Sequence, residues 1–422
     1  MPKQSPTVQH PLEKLKKEGK SGFNKIRILK YLFESEKAST PTICKRVGLS
    51  APTVLKLLSE LTDAGWIEKK GPGASFGGRR PDLVGLVPKS FFVLCIDIEL
   101  FMANIVILDN TLTPQGNKVS IPYILPKNRE NLDSILEHAQ KLITFLHIPG
   151  NKLISVCISL PGLVNPATGE SFSYLIDNND QRTLADYCKP FFDVPVYVQN
   201  DVKAAALGEL RCGKAKGKKN ALVLLMDWGV GLGIIMDGKV RKGTSGFSGE
   251  IGHIPFEDNG ALCYCGKHGC LETVASGIAL AKMAQAGIGS GQNSILSELS
   301  NKEIDKIEPR LIVEAANKGD LYAIKLLSNI GSSMGKGIST LIQIFNPELI
   351  ILEGRIAAAR QYITIPMLQA INTYCMTQIR EKAQIVSSEL GESANLLGCA
   401  IESIDRFFEI CIHPTREKII TK

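Results

Sequence analysis

Three thiols, Cys263, Cys265 and Cys270, fall within eight residues, and an imidazole precedes them at His253. Thiolates and imidazole at this density are the ligand types that Zn2+ takes in a tetrahedral set. The loop also holds Gly266 and Gly269, which let it wrap around one centre. Four protein ligands, His253, Cys263, Cys265 and Cys270, would close the site, so a structural zinc is expected. His268 is the alternative fourth ligand; between two ligand cysteines on a tight loop, its side chain is expected to face solvent. The other eight of the eleven cysteines are scattered. That pattern fits a reducing, cytoplasmic compartment with one metal site better than a disulfide framework.

Charge points to a second chemistry. The chain has 422 residues and a formal net charge of +7. Residues 1–90 hold 17 Lys+Arg against 8 Asp+Glu, and the remainder holds 32 against 34. A basic first fifth on a near-neutral body is the footprint of an attached nucleic-acid-binding module. No apolar run is long enough to span a membrane, and the N-terminal stretch has no apolar core of a secretory signal.

The elements that must position this charge follow from periodicity. Residues 1–21 read as a mobile basic tail and 22–88 as one module. Phe23, Ile26, Leu29, Leu32 and Phe33 share a helical face. Ser39-Thr40-Pro41 starts a second helix ending at Val47-Gly48. Ser50 can cap a third that turns Val54, Leu57, Leu58 and Leu61 inward and stops near Ala64-Gly65. A hairpin follows, with the loop Gly71 to Arg80 at its tip. This order is that of a winged helix-turn-helix binding double-stranded operator DNA. Ala51, Thr53 and Lys56, at the start of the third helix, are placed to reach base edges in the major groove. Lys45 and Arg46 on the preceding helix suit phosphates. Arg79 and Arg80, at the glycine-loosened wing, suit a narrow minor groove. Half-sites read by paired modules imply a homodimer or homotetramer.

Beyond Pro88 strands alternate with helices, as in an α/β fold. Strand-hairpin-helix units beginning near 91 and 221 point to two similar lobes around a cleft, although no strict repeat marks them.

At this point longer motifs matter. Gly243-x-x-Gly246-x-x-Gly249-Glu250-Ile251-Gly252-His253, followed by C-x-C-G-x-x-G-C-L-E through Glu272, resembles the signature of the ROK family of repressors and sugar kinases. Leu160-Pro161-Gly162, Asn200-Asp201 with the helix after it, Asp227-Trp228-Gly229-Val230-Gly231-Leu232-Gly233 and Asn346 to Gly354 resemble further family motifs. The resemblance spans about 89–410, and the winged helix matches the regulator branch. It implies a two-lobed, actin-like (ribonuclease-H-like) domain. One lobe would cover 89–199, completed by about 400–422, and the other 200–399 with the metal motif. It also implies that Asn200, Asp201, Glu250, His253 and Glu272 hydrogen-bond a sugar or sugar phosphate. His253 would then serve zinc with one ring nitrogen and the sugar with the other. Amides and carboxylates suit hydroxyl recognition independently of the resemblance, because a mismatched epimer leaves such buried groups unpaired.

In the family's kinases the counterpart of Asp201 is the general base that activates a sugar hydroxyl towards ATP. Here the first phosphate loop, Asp-x-Gly-Gly-Thr in the family, reads Asp97-Ile98-Glu99-Leu100-Phe101. Leu100 obstructs the approach of backbone N–H groups to a phosphate, and Glu99 sets a negative charge beside another. The nucleotide-side glycine pair reads Glu353-Gly354, and Trp228 enlarges the second glycine-rich loop. A non-enzymatic, sugar-responsive repressor of carbohydrate-utilisation genes is therefore expected, with an ATP-dependent sugar kinase as the alternative.

Overall fold

The computed structural model describes residues 11–73, 80–300 and 302–413. The chain divides into two compact units, residues 1–204 with 396–422, and residues 205–395.

The first unit begins with helices α1 (Pro11–Lys17) and α2 (Lys20–Ser35). Residues 11–17 belong to the stretch expected to be a mobile tail. They form a helix because Leu12 and Leu15, three apart, both find cover. Strand β1 (Lys37–Ser39), α3 (Thr40–Val47), α4 (Ala51–Asp63), β2 (Ile67–Pro72) and β3 (Asp82–Leu86) complete the winged helix. The Ser39 hydroxyl accepts from the Thr42 amide at the start of α3, and Gly48 ends α3 in the left-handed conformation, φ 67°. Ile26, Leu29, Leu32, Ile43, Val54, Leu57, Leu58 and Leu61 form the buried face, as their spacing predicts. Phe23 departs from that prediction: it is 37% exposed, with the Arg27 guanidinium 5.7 Å from its ring. The three strands pair in the order β1-β3-β2.

The rest of this unit is a five-stranded sheet. It contains β4 (Phe92–Ile98), β5 (Met102–Asp109), β6 (Val119–Pro122), β7 (Leu153–Leu160) and β8 (Val196–Asn200), with α5 (Leu132–Phe145) packed into its core. The order is β8-β7-β4-β5-β6. Every residue of β4 and β7 is buried, so these strands read as near-continuous apolar runs, interrupted by Asp97, Ser155 and Ser159.

The long helix Ser393–Ile412 returns to this unit. Gly398 lets it lie against the chain after β8, where a Cβ would stand 1.8 Å from the Ala204 carbonyl oxygen. Further along, Arg406 pairs with Glu402 at 2.7 Å and donates to the Pro166 carbonyl at 2.9 Å. Near its end Phe408 meets Phe33 of α2, ring centroids 6.2 Å apart, and Glu409 pairs with Lys30 of α2.

The second unit repeats the sheet plan. Strands β9 (Ala221–Met226), β10 (Val230–Met236), β11 (Lys239–Arg241), β12 (Leu349–Glu353) and β13 (Gln384–Ser387) lie in the order β11-β10-β9-β12-β13. In each sheet an antiparallel three-stranded meander continues into two parallel strands. The helices Leu321–Phe345 and Gln361–Tyr374 help close its core. Among the described residues no helix is long and apolar enough to cross a membrane.

Candidate metal centre and ligand site

Local backbone geometry delivers His253 and the cysteines to one point. Gly249 turns the chain at φ 82°, where a Cβ would stand 2.1 Å from the Leu232 carbonyl oxygen. A single 3-10 turn, Ile251–His253, follows and presents the imidazole. The cysteine loop is tied back by the Phe256 amide donating to Gly269 at 2.8 Å and the Leu271 amide donating to Ile254 at 3.1 Å. Within it the Cys263 amide donates to the Lys267 carbonyl at 2.8 Å.

The candidate donors of His253, Cys263, Cys265 and Cys270 all lie within 4.8 Å of one another. His253 Nδ1 stands 3.6 Å from Cys263 Sγ, and the sulfurs of Cys265 and Cys270 are 3.7 Å apart. Tetrahedral Zn2+, with bonds of about 2.3 Å to sulfur and about 2.0–2.1 Å to nitrogen, has edges of about 3.6 Å (N to S) and about 3.8 Å (S to S). These two edges match a tetrahedral zinc set, and the four side chains together could hold a metal ion. Burial pushes the Cys270 thiol up to about 12, a shift that a bound cation would oppose by stabilising the thiolate. His268 instead directs Nδ1 to the Gly260 carbonyl at 3.1 Å.

Glu272 lies two residues past the last cysteine and is 8% exposed. Its Oε2 accepts from the Val230 amide at 3.1 Å. Burial raises its carboxyl above the usual range; the Val230 N–H and the nearby His253 pull it down, and Glu250 adds to the rise. Glu250, His253 and Glu272 therefore share one neighbourhood in the second unit. Nε2 of His253, expected to face a sugar, lies 2.9 Å from the Tyr264 hydroxyl. Sequence reasoning passed over Tyr264; its position between two ligand cysteines was the available signal.

Asn200 and Asp201 belong to the first unit, at the junction of β8 and helix α6 (Asp201–Cys212). Asn200 Nδ2 donates to the Gly162 carbonyl and to Asp201 Oδ1, both at 2.9 Å. Asp201 Oδ1 also accepts from the Val202 amide at 2.7 Å. The Pro161-Gly162 turn and the Asn-Asp pair are thus one hydrogen-bonded assembly.

Comparison with known proteins places these motifs in a wider group. The ROK family model matches residues 94–405, and a winged helix-turn-helix DNA-binding model matches 24–68. This chain belongs to the ROK family. The xylose repressor of Bacillus subtilis is 27% identical over 392 residues, covering 92% of this chain and 96% of that protein. The crystal structure of a ROK family transcriptional regulator, a homologue of the E. coli Mlc protein, aligns with TM-score 0.75 and 25% identity over 95% of this chain and 99% of its own. A ROK glucokinase from Streptomyces griseus, in complex with glucose and AMPPNP, aligns with TM-score 0.64 and 26% identity over 74% of this chain and 99% of its own. The fold is thus the two-lobed actin-like domain of the ROK family behind a winged helix.

The segments that resemble the family's phosphate motifs make hydrogen bonds of their own. Asp97 accepts from the Ser159 hydroxyl at 2.6 Å. The Glu99 amide, at the bend between β4 and β5, is spent on the Met102 carbonyl at 2.8 Å, and Asn104 donates to the Glu99 carboxylate at 2.8 Å. In the second unit Arg355, next to the Glu353-Gly354 turn, reaches both carboxylate oxygens of Asp227 at 2.7 Å.

In the winged helix Ala51, Thr53 and Lys56 are exposed along the first turns of α4. The Ser50 and Thr53 hydroxyls pair at 2.8 Å. Lys45 and Arg46 are exposed on α3, and Arg46 lies 3.6 Å from Glu34. Arg80 is exposed at the base of the wing; Arg79 lies outside the described residues.

Proposed function

We propose that this ROK protein is a sugar-responsive transcriptional repressor whose winged helix binds operator DNA and whose ROK domain binds a sugar or sugar derivative. The supporting observation is a DNA-reading module joined to a ROK domain. Asn200, Asp201, Glu250, His253 and Glu272 are the proposed sugar ligands. The repressor relative that matches along nearly its whole length agrees with this reading. Zn2+ held by His253, Cys263, Cys265 and Cys270 would be structural: it fixes the tautomer of His253 and anchors the loop leading to Glu272. Lys45, Arg46, Ala51, Thr53, Lys56, Arg79 and Arg80 are the proposed DNA contacts, and the active species is a homodimer or homotetramer reading paired half-sites.

The test is a gel-shift titration on a DNA fragment selected by the protein from a random pool, with and without D-xylose, D-glucose or N-acetyl-D-glucosamine. The cognate sugar is expected to weaken DNA binding roughly tenfold to a hundredfold, the range of ordinary allosteric coupling. Coincident curves for every sugar would reject the sugar-responsive reading.

The kinase reading has one observation in its favour, the retained Asp201 at the start of α6. Against it stands the β4–β5 bend, where Glu99 and Leu100 replace the family's glycines and the Glu99 amide is already bonded to the Met102 carbonyl. Turnover of labelled ATP that disappears in Asp201→Asn would restore the kinase.

A further inference from the structure

His253 has two ring nitrogens, and three groups compete for them. Nδ1 stands 3.6 Å from Cys263 Sγ, on the metal side. A metal bound at Nδ1 would take that lone pair, so the ring proton would reside on Nε2, which would then be a donor. Nε2 lies 2.9 Å from the Tyr264 hydroxyl. The two rings meet edge to face at 81°, with centroids 5.0 Å apart. Tyr264 sits on the metal loop itself, and 60% of it is exposed.

We propose that Tyr264 is a gate on the sugar site: its phenol oxygen holds the Nε2–H of His253 that a sugar hydroxyl must take. The proposal rests on the reading of His253 as a sugar ligand. The exchange is balanced in hydrogen bonds. The sugar oxygen replaces Oη as the acceptor from Nε2–H, and the released phenol bonds to water. Because Tyr264 is mostly exposed, swinging it aside uncovers little apolar surface. A sugar that presents a hydroxyl at this point recovers the bond it breaks. A sugar without that hydroxyl gains nothing from His253: it leaves the Tyr264 bond in place, or displaces the phenol and strands the imidazole N–H. The gate thus lowers affinity for a ligand that takes the bond.

Tyr264→Phe tests the gate, since it keeps the ring and removes only the oxygen. Zinc per chain is measured by elemental analysis, and affinity by calorimetry with D-xylose, D-glucose and N-acetyl-D-glucosamine. The expected result is unchanged zinc and about two- to tenfold tighter binding of whichever sugar the wild type binds, the value of one competing hydrogen bond. Equal affinity in the two proteins would overturn the gate. Weaker binding by the variant would overturn it too, by making Tyr264 a direct sugar contact. If neither protein binds any of the three sugars, the sugar-binding reading falls and the gate with it.

Discussion

At the scale of single residues, the metal set was legible because cysteine spacing is a local property of the chain. Cys265→Ser is expected to lose zinc and sugar binding together, since the loop that ends in Glu272 is fastened through the metal. Elemental analysis beside calorimetry checks this, and zinc-free wild-type protein would contradict it. Glu272 is a sharper probe. Its carboxyl is raised chiefly by burial, so its charge costs the sugar-free protein stability above the ordinary Glu range, and that cost is relieved as pH falls through the raised folded value. Glu272→Gln keeps an acceptor for the Val230 amide and removes the charge. The sugar-free variant is expected to be no less stable than the wild type in thermal unfolding at pH 7, while sugar affinity falls about tenfold or more. Tyr264 was not legible, because nothing in its spacing says which way a loop side chain folds over the imidazole.

At the scale of elements, the helices of the DNA-reading module were legible wherever apolar residues recur with helical period and a cap precedes them, as at Ser39; Ser50 precedes α4 as expected, but its hydroxyl pairs with Thr53 and caps no amide. The first helix was missed because two leucines among lysines carry too little signal. A second feature out of reach was Lys25, which looks like a surface cation in the sequence. Its ammonium lies 2.6 Å from Glu18 and 2.9 Å from Glu60 of α4, and its side chain is 9% exposed. Burial lowers the Lys25 pKa, and the two carboxylates more than reverse that, so the net shift is upward. A raised lysine contributes stability below its unfolded value of about 10.4 that is lost as pH climbs through the folded value. Lys25→Met, which keeps the packing of the stem, is expected to cost about 1 kcal/mol at pH 7 and to flatten the alkaline loss of stability in urea titrations. Phe408→Ala, emptying the contact between the returning helix and α2, is expected to cost about 3–5 kcal/mol. The loss should be read both in urea and in weaker DNA binding.

At the scale of the whole molecule, the fold class was legible from alternating strands and helices, and the units near 91 and 221 pointed to two similar lobes, but the strand order of each sheet was not legible. Their common order is topological, and strands of different sequence satisfy it equally well. The DNA-facing charges make a separate prediction: Arg80→Ala should weaken DNA binding across sequences and lower its logarithmic salt slope by about one, with sugar affinity unchanged. Glu250→Gln should do the opposite, abolishing the sugar response and sparing sugar-free DNA affinity; paired gel shifts and calorimetry distinguish the two. The contact of α2 with the returning helix also has a bearing on how the protein is made. Lys30 and Glu409 are 379 residues apart in the chain. At bacterial-scale synthesis of about 5–20 residues per second, the side of α2 that Phe408 covers waits roughly 20–75 s for its partner. Throughout that interval the nascent DNA-reading head carries a bare aromatic patch, open to chaperones and proteases. Late frameshifts and stop codons ahead of residue 393 should therefore be cleared by degradation, leaving cells short of repressor instead of filled with an unresponsive DNA-bound fragment.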